Sequence, residues 1–116
     1  MRPETRPRSA ARYPNGFVRR HLRSLFTIPI TIRHLADGGV RASRGVSLDL
    51  SEGGMGALVK TGLKVGDMVE IDIQWPEHAL SVIGIVRHSS DTRSGFEFMG
   101  LTPEERAQIV AMMSSS

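Results

Sequence analysis

The residues best equipped for chemistry fall into two short groups. Arg19 and Arg23 close a basic segment as Arg-Arg-His-Leu-Arg, and Asp49, Ser51 and Gly54 punctuate Asp-Leu-Ser-Glu-Gly-Gly at the end of an apolar-alternating run. A guanidinium carries five donors in a rigid plane. It grips a phosphate or the O6/N7 edge of guanine bidentately, and it stacks on a base face. A spacing of four puts Arg19 and Arg23 on one side of a helical turn, or on one face of an extended strand. A carboxylate such as Asp49 accepts what the Watson–Crick edge of guanine donates. A hydroxyl such as Ser51 donates to phosphate or base atoms. Glycine at 54 permits positive φ and a close approach of backbone N–H groups to an anion. Four or five charge-assisted bonds of roughly 1.5–3 kcal/mol each would hold a nucleotide at micromolar strength or better.

The elements that must position these groups are strands. From 25 to 34, Phe26, Ile28, Ile30 and Ile32 alternate with polar residues, with Pro29 facing outward at an edge or bulge. Asp37-Gly38-Gly39 is a turn, and from 40 to 50 the alternation predicts Val46, Leu48 and Leu50 inward and Ser47, Asp49 and Ser51 outward. Short strands follow at Met55–Val59, Val69–Trp75, Leu80–Arg87 and Phe96–Phe98, the second of them ended by Pro76 in front of the third. The Leu80–Arg87 run is apolar enough to predict partial cover on both faces. Thr102-Pro103-Glu104-Glu105 combines an N-cap, a proline at the first helical position and a capping-box glutamate. It predicts a helix to about Met113, packed through Ile109, Val110 and Met113. Six strands without intervening helices, then one helix, predict an all-β domain: a small antiparallel barrel or sandwich.

Composition bounds the rest. The 116 residues fit one domain with no cysteine, which excludes disulfides and thiolate metal sites. Residues 1–23 carry seven arginines against one acid, Glu4, a net charge of +6, while residues 24–116 carry eight basic and eleven acidic residues, a net charge of −3. A basic arm on an acidic body expects an anionic partner. Residues 1–18, with three prolines and no apolar period, read as a flexible basic tail. The domain proper then runs over 19–113, and 114–116 fray. No apolar run approaches the roughly 20 residues of a membrane helix, and the basic N-terminus lacks an apolar stretch and does not read as a secretory signal, so a cytoplasmic location without membrane insertion is expected. No G-x-S-x-G, P-loop or H-E-x-x-H occurs, so no enzyme is expected. The four histidines lack metal-ligand spacing, so no metal is expected; His88, just after an apolar strand, could approach a ligand but reads first as an ordinary residue.

With these residues in view, the chain resembles the PilZ domain family, the bacterial receptor module for cyclic di-GMP, from about Arg19 to Met112. The family pattern is R-x-x-x-R, a spacer, then [D/N]-x-S-x-x-G, and Arg19, Arg23, Asp49, Ser51 and Gly54 fill every specified position. Gly-Phe-Glu-Phe at 95–98 and Leu-Thr-Pro-Glu-Glu-Arg at 101–106 resemble its last strand and helix start. The resemblance implies a six-stranded antiparallel β-barrel of the split-barrel type with a C-terminal helix. It implies that Arg19 and Arg23 hold guanine Hoogsteen edges or phosphates, and that Arg20 adds a phosphate contact. Asp49 would take a guanine Watson–Crick edge, Ser51 a base or phosphate, and Gly54 would keep the loop compact. The ligand would be cyclic di-GMP, one molecule or a stacked pair, with no other cofactor. The arginine segment would order over it, and the signal would pass to an unidentified protein effector. Two alternatives are a PilZ-like interaction module without ligand binding and a barrel that binds nucleic acid through its arm. Single-strand binders usually carry rows of exposed aromatics, and only Tyr13 and Phe17 lie near the arginines.

Overall fold

The computed structural model describes residues 24–36, 38–60, 62–75 and 78–114. Arg19, Arg20 and Arg23, the tail expected over 1–18, Asp37, Pro76 and the last two serines lie outside the described residues. The elements are β1 (Ser24–Leu25), β2 (Pro29–Ala36), β3 (Gly39–Leu50), β4 (Gly54–Val59), β5 (Met68–Trp75), β6 (His78–Ser89), β7 (Arg93–Met99) and α1 (Pro103–Ser114).

All strand pairs are antiparallel, in the order β1-β3-β2-β5-β6-β7-β4, and β3 also pairs with β4. That last pairing closes β2–β7 into the expected six-stranded barrel. The short β1 adds one further pair against β3. Closure leaves no long open edge along the barrel wall. The interior holds Ile30, Ile32, Leu50, Met55, Ile71, Ile73, Val86 and Phe96, all nearly or fully buried. β5 shows the period-2 logic plainly: Val69, Ile71 and Ile73 are buried, while Arg33 on neighbouring β2 bridges the outward Glu70 and Asp72 at 3.4 and 2.5 Å.

β2, β6 and α1 each depart from the sequence expectation. The single strand expected over 25–34 is interrupted at 26–28, and Pro29 takes the first position of β2, where its missing N–H costs no ladder bond. Ile83 on β6 is 40% exposed, so one face of that strand is open where partial cover was expected on both. On α1 the buried pair is Ile109 and Met112, with Met113 half-buried and Val110 exposed. The start of α1 is as the sequence reads. Glu105 N–H donates to Thr102 Oγ1 at 3.1 Å, and Thr102 N–H donates to Glu105 Oε1 at 3.0 Å, a reciprocal capping box.

Candidate functional site

β3 carries the second motif, and a β-bulge decides how. Pairing with β4 shifts register between Ser47 and Asp49. The extra residue breaks the alternation expected from the sequence. Ser47 turns inward and is fully buried, Asp49 lies half-buried on the outer face, and Leu50 returns to the core. Ser51, expected outward beside Asp49, is 2% exposed.

Ser51 is a turn-former in this arrangement. Its Oγ accepts from Gly53 N–H at 3.3 Å and Gly54 N–H at 3.2 Å and donates to the Gly54 carbonyl at 3.3 Å, while its own N–H donates to that carbonyl at 2.9 Å. A hydroxyl that satisfies two backbone donors shapes the loop. Gly54 does not have the positive φ anticipated for it. Glycine is needed there because a Cβ would lie 2.2 Å from the Phe96 carbonyl oxygen of β7. The loop is tied down further by Phe98 N–H donating to the Gly53 carbonyl at 2.9 Å. On its outer side Glu52 approaches Arg106 of α1 at 3.9 Å.

The Asp49 carboxylate leans over β4. Gly56 N–H donates to Asp49 Oδ1 at 3.1 Å, and a Cβ on Gly56 would stand 3.0 Å from Oδ2. Beside the loop is a hollow of about 330 Å³ lined by Ser51, Gly53, Gly54, Arg87, His88 and Gly95, among others. At its rim Arg87 Nε meets Glu97 Oε1 at 2.6 Å, both side chains about half exposed. Such a pair contributes about 0–1 kcal/mol to the fold, so little holds Arg87 there.

The chain that directly follows the first motif is fastened in this region. Ser24, next after Arg23, pairs with Leu50, and Leu25 pairs with Asp49. The linking segment is fastened to β3: Ser47 Oγ donates to the Phe26 carbonyl and accepts from Ile28 N–H at 3.0 Å, and Phe26 N–H donates to the Leu48 carbonyl at 3.1 Å. Phe26 also stacks on Trp75 with ring centroids 5.5 Å apart. β1 therefore lies beside Asp49. The sequence reading passes over Gly56, sets His88 aside as an ordinary residue and takes Gly95 for part of a turn, whereas Gly95 lies inside β7. The available signal is a glycine at or beside an alternating run, which marks close approach of another group.

Among the described residues no helix is long and apolar enough to cross a membrane, and no cluster of three or more His, Asp or Glu could hold a metal. The PilZ domain family matches residues 17–115. No match is found among the curated proteins. Solved structures with a similar fold include the c-di-GMP-bound PilZ domain of YcgR from Escherichia coli, 21% identical, TM-score 0.71, covering 84% of this chain and 89% of that one. The PilZ domain of CeSA from a cellulose-synthesizing bacterium is 21% identical, TM-score 0.68, covering 81% and 96%. The Bacillus subtilis inhibitor of motility MotI/DgrA is 16% identical, TM-score 0.67, covering 84% of this chain and 49% of its own. With the family matched from 17 to 115 on the closed barrel and terminal helix described above, the chain belongs to the PilZ domain family.

Proposed function

We propose that this protein is a receptor for cyclic di-GMP that acts by binding, without turning the ligand over, and relays occupancy to a protein partner. The observation that carries this reading is the pairing of Ser24 and Leu25 with Leu50 and Asp49. It fixes the two residues that follow the arginine motif in sequence beside the outer-face carboxylate of the second motif. In this reading Asp49 takes a guanine Watson–Crick edge. Arg19 and Arg23, with Arg20, supply phosphate and Hoogsteen contacts as the N-terminal segment orders over the ligand. Ser51 and Gly54 belong to the site chiefly as the scaffold of its loop.

Electrostatics support a role for the arm. Around the hollow and loop the described charges are Asp49, Glu52 and Glu97 against Arg87 and Arg106. A ligand with two phosphates needs more cations than this, and the arginine segment has them. The nucleic-acid alternative draws no support from the barrel. Phe26, Phe96 and Phe98 are buried and Trp75 is half-buried, so the described surface has no row of stacking rings. Competition tests the reading: cyclic di-GMP should displace a fluorescent cyclic di-GMP analogue, while GTP and a single-stranded oligonucleotide at equal nucleotide concentration should not. Displacement by the oligonucleotide alone would transfer the assignment to nucleic acid.

A further inference from the structure

Four residues form a continuous row across the outer face of the barrel. Asp49 of β3 pairs with Gly56 of β4, Gly56 pairs with Gly95 of β7, and Gly95 pairs with His88 of β6. The two middle positions are glycines, and each lies under the side chain of its outer neighbour. A Cβ on Gly56 would meet the Asp49 carboxylate at 3.0 Å, and a Cβ on Gly95 would meet His88 Nε2 at 2.1 Å. Asp49 and His88 thus fold inward from opposite ends over a floor without side chains. Two separate β-bulges produce this. One falls between Ser47 and Asp49, the other between Val86 and His88. Each bulge re-aims the residue that follows it, and both of those residues end in the same row.

The imidazole lies down across Gly95, and among the described residues it has no hydrogen-bond partner. It also lines the hollow that reaches Ser51 and Gly54. A ring held in place by the absence of a Cβ beneath it is a prepared surface for another planar group. We propose that His88 is a ligand-contacting residue, a ring platform on which a purine base packs opposite the Asp49 carboxylate, with Gly95 as its berth. The proposal rests on the assignment of this face to cyclic di-GMP and adds to it a wall from β6 and β7, outside both sequence motifs.

The test is calorimetric titration of the full chain and its variants with cyclic di-GMP, with melting curves to check folding. His88→Ala should weaken binding about tenfold or more, the scale on which loss of base–ring stacking acts. His88→Phe, which keeps a ring, should stay within about threefold of the parent on the same stacking argument. Gly95→Ala should weaken binding as His88→Ala does. Its new methyl collides with the imidazole ring of an exposed side chain, which can swing aside, so melting should change little. On saturation, the His88 ring protons should show an upfield NMR shift from stacking. Parent-like affinity in His88→Ala, or equal losses in His88→Ala and His88→Phe, overturns the platform. If Asp49→Ala loses binding while His88→Ala does not, the platform fails and the receptor assignment stands. If the parent chain does not bind, both fail.

Discussion

Ser51 and Gly54 stand in the second motif beside Asp49, yet the barrel uses the three differently. Asp49 presents its carboxylate on the outer face, whereas the Ser51 hydroxyl is 2% exposed and serves its own loop. Ser51→Ala would leave two backbone donors of the loop without their partner and should cost about 1–3 kcal/mol in urea unfolding. Gly54→Ala would push a methyl against the Phe96 carbonyl and should cost a similar amount, about 1–3 kcal/mol. Asp49→Ala removes the acceptor of one partly buried donor, Gly56 N–H, so it should cost about 0.5–1.5 kcal/mol in unfolding and weaken cyclic di-GMP roughly tenfold to a hundredfold, the value of a charge-assisted bond. If Ser51→Ala weakened the ligand without lowering stability, the scaffold role assigned to its hydroxyl would be wrong. The motif they share was visible in the sequence. Their division of labour was not, because it depends on a bulge at Leu48 that no local residue type announces.

At the scale of elements, the join between β1 and β3 carries the most weight. Ser47, read from the sequence as an outward polar residue, is buried and holds both Phe26 and Ile28. Ser47→Ala should therefore destabilise the domain by about 1–3 kcal/mol. It should also weaken ligand binding, since it loosens the segment that sets where the arginines leave the barrel. An unfolding loss with unchanged affinity would uncouple the two. Helix α1 offers a control. Thr102→Ala removes half of the capping box and should lower stability by about 0.5–2 kcal/mol with no effect on affinity. The capping box, the β5 alternation and the closing strands were all readable, because each is set by near neighbours. The break at 26–28, the two bulges and the choice of Met112 over Val110 follow from barrel closure, which depends on residues far apart in sequence.

For the whole molecule, the account joins a mildly acidic barrel to a strongly basic N-terminal segment. If that segment orders over the ligand, cyclic di-GMP should slow trypsin cleavage at Arg19, Arg20 and Arg23 while leaving cleavage elsewhere unchanged. Raising salt should lower affinity, because the arm's contribution is electrostatic. The most direct test remains calorimetric titration of the intact chain with cyclic di-GMP at low salt, beside the Arg19→Ala/Arg23→Ala double variant. The account predicts saturable binding at micromolar strength or better for the parent and a loss of at least about tenfold for the double variant. Absence of binding by the folded parent at high micromolar ligand, or equal affinity in the two proteins, would contradict it.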